Sequence, residues 1–395
     1  MSPARAGVRL AILDDGLFVR TPAGTVHSVA ATFHRFVEAV VRTGPFGGRA
    51  RYVVPVRQMA ADEPPPALPA VDQRLLEIVP TAPFRGIADY VARWPIQLAR
   101  NWPPISRAVR DSDLVWLRLP ASNALPALLA GKRHGVPHFT WQAGKVGAVV
   151  VGQQRPLPLH LLARVVGAGY DTVSALSRRS GPFVELDDEL FASVVTQADI
   201  DGTPAPTVRP HGPWVIAWAG RMAPEKGLDD LLDALRLLID EGRDVRLLLV
   251  GDGPVRPQLE RQGEAFGERL RIEDWVSDRT RYLALLRGAD IFVHPSHAEG
   301  VPKVLLDAMT AGLPIVASAV GRVPELLGGG LRGRLVPPSD PGRLAGAVGS
   351  LLDDAAQQRL LSTRGMTWAA EHTMEAQARR VVDWLTSAFP ELLGE

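Results

Sequence analysis

The chain contains no cysteine, which removes disulfides, thiolate metal sites and cysteine nucleophiles together and fits an intracellular setting. It also lacks any apolar run near the ~20 residues that a helix needs to cross a bilayer; the stretch from Val146 to Gly152 falls well short. The opening MSPARAGVRLAILDD offers only Val8 to Leu13 as an apolar segment, with Arg9 inside it and Asp14 and Asp15 closing it. It therefore reads as a first strand rather than a signal peptide. A cytoplasmic protein is expected, either free or peripheral at the inner face of the membrane. No repeat occurs at solenoid spacing. No Walker-type phosphate loop is present, because Gly144-Lys145 is followed by Val146 where magnesium binding needs Ser or Thr. The dinucleotide fingerprint is incomplete as well: Gly251 and Gly253 stand in VGDGPVRPQLE, but Arg256 occupies the place of the third glycine.

What is present is material for more than one core: 395 residues, of which 46% are hydrophobic. The 34 prolines and 37 glycines fall mainly between apolar runs and punctuate turns. The net charge of +1 is unevenly spread, because residues 1–200 carry 22 Lys+Arg against 16 Asp+Glu while the remainder carries 22 against 27. An ordinary arginine-rich surface is preferred over an anionic partner as the reading of that basic half.

Short apolar runs alternate with longer helical patterns, as in parallel sheets covered by helices. VRLAIL, RYVVPV, DLVWLRL, VPHFTW, TVSAL and FASVVTQ are the strand candidates of the first half. PWVIAWAG, VRLLLVGD, LRIEDWV, DIFVHPS, PIVASAV and GRLVPP are those of the second. Two similar sets imply an α/β protein of two doubly wound, Rossmann-like domains facing across a cleft. The expected boundaries are an N-terminal, acceptor-binding domain over 1–198, a Pro- and Gly-bearing linker over 199–210, a C-terminal, nucleotide-sugar-binding domain over 211–367 and a terminal helix over 368–395 that packs back toward the N-terminal domain. Phe84 to Arg110 mixes Trp94, Ile96, Leu98 and Trp102 with arginines. A helix covering a core is preferred there over an interfacial helix in contact with a membrane.

Chemistry concentrates in the second half. In WAGRMAPEKGLDDLLDAL a strand ends near Gly220, a loop carries Arg221 and Lys226, and Gly227 leads into a helix. Two cations beside a helix N-terminus suit a diphosphate. In AEGVPKVLLDAM, Pro302 suits the first turn of a helix that runs to about Thr310 and stops at Gly312. Glu299 then precedes the helix, the amides of Gly300 and Val301 point into the same space, and Asp307 lies roughly 7.5 Å further along at 1.5 Å per residue. Carboxylates accept hydrogen bonds from paired hydroxyls, so a nucleotide sugar matches two acids with an anion-binding helix tip between them; a Glu299 that caps the helix, with Asp307 on its exposed face, is the alternative reading of this stretch.

The run HPSHAEGVPKVLLDAMTAGLPIVASAVGRVPELL, preceded in order by GRMAPEKG, VGDGPVRPQLE, DWVSD and ADIFVHPS, resembles the retaining, nucleotide-sugar-dependent glycosyltransferases of GT-B fold, family four. The resemblance is specific from about Pro213 to Leu326 and loose before residue 200. It implies that Arg221 and Lys226 hold the donor diphosphate, Glu299 orients the transferred sugar, Gly300 and Val301 offer amides, Asp307 meets the ribose, and the base lies near Trp275 and Val276. It implies no cofactor and no metal, the cations and helix dipoles offsetting the leaving-group charge. Asp307 stands where the family usually has glutamate, Gly321-Arg322 replaces a pair of glycines, and HFTW leads into Gln142, Ala143, Gly144 and Lys145 where many members carry a histidine. In the first loop, TPAGTVHS, Gly24 alone permits a helix tip to approach phosphate, and His27 is read as helix surface or as an acceptor contact beside Gln142 and Lys145.

The expected activity is transfer of a sugar, with retention, from a nucleoside diphosphate donor to a hydroxyl acceptor: a glycan, a lipid-linked sugar or a small natural product. Nucleic acid is not an expected partner. Two other classes stay open at this level: a non-catalytic nucleotide-sugar-binding partner, and a phosphorylase or epimerase on the same architecture.

Overall fold

The computed structural model describes residues 7–29, 33–60, 63, 70–83, 87–142, 157–185, 190–205 and 208–394. They form two α/β units, one of residues 1–192 with 375–395 and one of residues 193–374.

In the first unit the strands are β1 (Leu10–Leu13), β2 (Phe18–Arg20), β3 (Val26–Ser28), β4 (Ala50–Gln58), β5 (Leu76–Thr81), β6 (Leu114–Leu119), β7 (His138–Gln142) and β8 (Phe183–Glu185). Their order is β3-β2-β4-β1-β6-β7-β8, with β5 also on β4. Every pairing is parallel except β2 with β3. β1 is buried at all four positions, which is why LAIL reads as an unbroken apolar run rather than an alternation. The chain leaves β1 toward β4 and returns to its other side as β6, so the sheet reverses direction between β1 and β6. Trp116 is fully buried there, with Phe33, Phe139 and Trp141 at ring-centroid distances of 5.8, 5.3 and 5.6 Å.

The second unit is a wholly parallel sheet of β9 (Trp214–Arg221), β10 (Val245–Asp252), β11 (Leu270–Glu273), β12 (Ile291–His294), β13 (Ile315–Ser318) and β14 (Arg334–Val336), ordered β11-β10-β9-β12-β13-β14. Its reversal falls between β9 and β12. Ile216, Trp218, Leu247, Leu249, Ile291 and Val293 pack against the apolar stripe of the helix Leu228–Asp240, whose Leu228, Leu231, Leu232, Leu235 and Leu238 recur at helical spacing.

Several expectations need correction. TVSAL is not a strand but part of the helix Leu157–Ser180, in which no breaker stands between Gly169 and Gly181. FASVVTQ keeps a strand-like alternation, with Phe191, Ser193 and Val195 buried, yet it joins neither sheet. Its backbone meets the Gln377 side chain at Phe191 and the Met374 amide at Val195 instead. The stretch expected to open as a linker begins inside a helix, Gln197–Asp201, fixed by a reciprocal capping box between Thr196 and Asp199. The terminal segment is two long helices, Ala355–Glu371 and Met374–Ala388, rather than one. His372 ends the first, its ring stacked 3.9 Å from that of Trp368. In the second, Trp384 lies 5.8 Å from Phe139 of the first unit, to which that helix belongs from Glu375 onward. β2, β3, β5 and β8 escape the sequence pattern, three of them being only three residues long at or near the sheet edge, while β5 carries Pro80.

The helix Ile87–Arg110 carries three internal prolines, Pro95, Pro103 and Pro104. Ile105, Ala108 and Val109 enter the core with Trp102 packed alongside, so this end of the segment is a covering helix. Among the described residues no helix is long and apolar enough to span a membrane.

Trp116→Ala should cost about 3–5 kcal/mol, seen by calorimetry as an earlier melting transition of the first unit, whereas Trp116→Phe should recover most of the loss.

Candidate active site

β9 and β12 are neighbours whose following loops diverge, and in doubly wound sheets ligands bind at such a reversal, beyond the carboxyl ends of the strands. The loop after β9 makes a short 3-10 turn, Pro224–Lys226, and Gly227 follows in the left-handed region at φ +63°. Glycine is obligatory there for a second reason: a Cβ would lie 2.1 Å from the Pro295 carbonyl oxygen. The same constraint recurs at Gly321, φ +54°, where a Cβ would lie 2.0 Å from the Glu299 carbonyl oxygen. These approaches lock the loops together. The His297 amide donates to the Glu225 carbonyl at 2.9 Å, and the His297 ring nitrogen Nε2 lies 2.8 Å from Asp230 Oδ2.

The result is a pair the sequence pointed to, Lys226 and Glu299. Lys226 Nζ donates to Glu299 Oε1 at 2.6 Å. Ser296 Oγ donates to the same oxygen at 2.7 Å, and His294 Nε2 stands 2.9 Å from it. Burial alone would raise this carboxyl, but the hydrogen bond and charge of His294, together with Lys226, push it down to about 2. Three donors converge on Oε1, and none of these bonds uses Oε2. Arg221, the last residue of β9, pairs at 2.8 Å with Glu225 rather than standing unpaired, and at 62% side-chain exposure it can exchange that partner for a ligand. Burial tends to raise the Glu225 carboxyl, yet its backbone amide, Arg221 and Lys226 outweigh that and lower it, so both cations bear on one point.

The helix Lys303–Thr310 begins after Pro302 with no side-chain cap, so the positive end of its dipole lies at the loop that carries Gly300 and Val301. Gly300 opens onto free space, with nothing within 4 Å of where a Cβ would sit, and Val301 is half-buried beside it. Trp275, 56% exposed, and Val276, half-buried, lie in the loop after β11.

Asp307 is placed otherwise than expected. It is buried within the helix, and its carboxylate accepts from Arg279 Nη1 at 2.6 Å and from Tyr282 Oη at 3.3 Å. A carboxylate one methylene shorter than glutamate stays close to its own helix, and Arg279, which also reaches Asp199 at 3.3 Å, closes over it. Asp307 thus faces protein groups, and burial raises its carboxyl despite Arg279.

The other candidates, Gly24, His27, Gln142 and Lys145, belong to the first unit. Gly24 is not in a loop before a helix tip; it is the turn of the β2–β3 hairpin, at φ +86° with its amide donating to the Thr21 carbonyl. His27 is not helix surface either, since it sits in β3 opposite Val19. Gln142 ends β7 and is 9% exposed. Lys145 lies outside the described residues. The glycines of VGDG serve packing, because a Cβ at Gly251 or Gly253 would lie 1.9 Å or 2.2 Å from the carbonyl oxygens of Gly220 and Met222. Sequence reasoning missed His294 and Ser296. Their signal is present in HPSHAE, where a shared side of the chain leaving β12 carries both toward Glu299. Among the described residues no group of three His, Cys, Asp or Glu side chains could hold a metal ion.

Residues 213–354 match the family described as Glycosyl transferases group 1. The match lies within the second unit. The chain is 33% identical over 165 residues to the alpha-D-kanosaminyltransferase of Streptomyces kanamyceticus, a match covering 41% of this chain and 42% of the relative. It is 27% identical over 383 residues to D-inositol 3-phosphate glycosyltransferase 1 of Catenulispora acidiphila, covering 87% of this chain and 85% of the relative. With several of the curated relatives the match spans about two-fifths of their length. In fold the chain is similar to Anabaena HepE, solved with UDP and glucose, with a TM-score of 0.62 at 17% identity over 96% of this chain and 100% of that one. That likeness, together with the two parallel-sheet units, gives the chain a GT-B fold.

Gly227→Ala combines a left-handed φ with a clash against Pro295, so it should cost about 1–3 kcal/mol or more and lower the melting temperature of the second unit. Gly300→Ala, with open space at its Cβ, is the control and should leave it unchanged.

Proposed function

We propose that the protein is a glycosyltransferase that moves a sugar, with retention, from a nucleoside diphosphate sugar to a hydroxyl acceptor. The observation that carries this reading is the contact between Lys226 and Glu299 at the β9/β12 reversal, beside an uncapped helix tip. A carboxylate pushed down to about 2 stays ionised at any working pH. It can therefore accept hydroxyls of the transferred sugar through Oε2 while Lys226 lies next to the departing phosphate. Arg221 and the amides at Gly300 and Val301 add fixed positive potential where leaving-group charge develops, which acts without reorganisation at the moment of reaction. In the retaining route the departing phosphate oxygen assists removal of the acceptor proton on the same face, so the protein's work is positional and electrostatic. Metal ions are not needed in this scheme, because the two cations and the helix tip supply the compensating charge. The exposed Trp275 offers a stacking face for the base. Membrane contact through Phe84–Arg110 forms no part of this reading, because Ile105, Ala108 and Val109 are committed to the core.

Nucleotide sugars screened for binding, slow hydrolysis and transfer separate this reading from a non-catalytic binder, which would show only the first, and from a phosphorylase, which would consume inorganic phosphate. UDP-sugars are the first probes, given the ligands of the HepE structure. Lys226→Ala should leave the protein folded, with a melting temperature lowered by loss of the partner of the buried Glu299, and lower turnover by about 100- to 1000-fold; turnover at the wild-type level would refute the assignment. EDTA should leave the rate unchanged. Trp275→Ala should weaken UDP binding roughly tenfold, the lower part of the range for one base on one aromatic ring, as measured by calorimetric titration.

A further inference from the structure

Val276 is followed almost at once by the helix Arg279–Arg287, whose Arg279 and Tyr282 both bond Asp307 on the helix Lys303–Thr310. A base stacked on Trp275 and a diphosphate at the start of the second helix would therefore set the sugar that joins them beside this contact. Hydroxyls of such a sugar call for a carboxylate or another open acceptor. The contact offers none. Asp307 is 6% exposed, with Oδ1 accepting from Arg279 Nη1 at 2.6 Å and Oδ2 from Tyr282 Oη at 3.3 Å. Arg279 is committed as well: Nε lies 3.3 Å from Asp199 Oδ2, and Nη2 is buried, out of reach of a ligand, with no partner among the described residues.

This arginine ties together the helices Gln197–Asp201, Arg279–Arg287 and Lys303–Thr310, all within the second unit. Its work is to hold helices, and Asp307 is the anchor. Withdrawing it to free the acid would leave a carboxylate buried and unpaired, a larger loss than one bond from a neutral hydroxyl returns. The other acids of the stretch are engaged too. Arg256 Nη1 lies 2.5 Å from Asp274 Oδ1, and Asp278 caps its own helix by accepting from the Arg281 amide at 2.7 Å. Both are open to water, where a ligand hydroxyl gains little by exchanging solvent for a carboxylate.

We propose that the donor site does not read the 2′-hydroxyl of the ribose, and that it binds 2′-deoxynucleoside diphosphates and their sugars as readily as the ribo forms. That blindness presupposes the transferase reading above and adds which nucleotides serve it. A site rejects an analogue that lacks a hydroxyl when the missing group strands a buried polar partner. Nothing is stranded here, because Asp307 keeps Arg279 and Tyr282 whether the ligand brings a 2′-hydroxyl or a hydrogen. Selection among donors then falls to the base at Trp275 and to the transferred sugar at Glu299.

The test is calorimetric titration of the full chain with matched pairs, UDP and 2′-deoxy-UDP, ADP and 2′-deoxy-ADP, GDP and 2′-deoxy-GDP, so that the base does not decide the outcome. For every base that binds, the two dissociation constants should agree within about threefold, where a carboxylate receiving the hydroxyl would impose roughly ten- to hundredfold in favour of the ribo form. Asp307→Asn should lower the melting temperature and leave the ratio of the two constants within the same limit. Should that variant not fold, the wild-type pairs decide alone. A ribo preference beyond the limit in the wild type, or a ratio in folded Asp307→Asn that departs from the wild type by more than the limit, would overturn the proposal and leave the donor reading in place. Binding of none of these nucleotides would overturn the donor reading and the proposal with it.

Discussion

The salt bridge between Lys226 and Glu299 depends on backbone before it depends on charge. Two loops leaving neighbouring strands in opposite directions would ordinarily separate their side chains. Here Gly227 meets the Pro295 carbonyl and Gly321 meets the Glu299 carbonyl at distances that admit no Cβ. Hydrogen bonds from His297 to Glu225 and Asp230 then hold the approach. The long arms of lysine and glutamate cover what distance remains. The electrostatics follow: a carboxylate bonded by Lys226 and Ser296 is a fixed negative charge beside a fixed positive one, with the dipole of a helix directed into the same space.

The two units solve one geometric problem with two kinds of acid. Each sheet reverses beside its first strand, and each places a carboxylate on one diverging loop and a donor on the other. In the second unit the donor carries charge, and the carboxyl group is driven far below its ordinary range. In the first the donor is serine, and burial prevails. The same kind of reversal therefore holds one carboxyl, Glu299, far below its ordinary range and another, Asp15 beside Ser122, raised by burial to about 6, because burial and the nearest cation, rather than the fold, set a pKa.

How much of this could be read from the chain alone varies with the kind of signal. All six strands of the second unit could be read, because each is a short apolar run bounded by Gly, Pro or Asp. The helix after Glu299 could be read too, from Pro302 and Gly312 at its ends. TVSAL was misread because five residues cannot separate a buried strand from one flank of a long helix. FASVVTQ was misread because alternation reports burial on one side, not the presence of a neighbouring strand. At the site, Lys226 and Glu299 were legible as a cation and an acid beside helix starts. His294 and Ser296 were not, since their part depends on how the chain leaves β12. The Arg279–Asp307 bond was illegible for a simpler reason: its partners sit on different helices, and nothing in their spacing joins them.

That last contact binds the history of two positions. Arg279 bridges Asp307 on one helix and Asp199 on another, and Tyr282 closes the remaining side of Asp307. A glutamate at 307 would push an additional carbon into space the guanidinium already fills, and it could settle only if residue 279 gave way. Exchange at either site is thus conditional on the other, because the room for a longer acid at 307 is set by the side chain at 279.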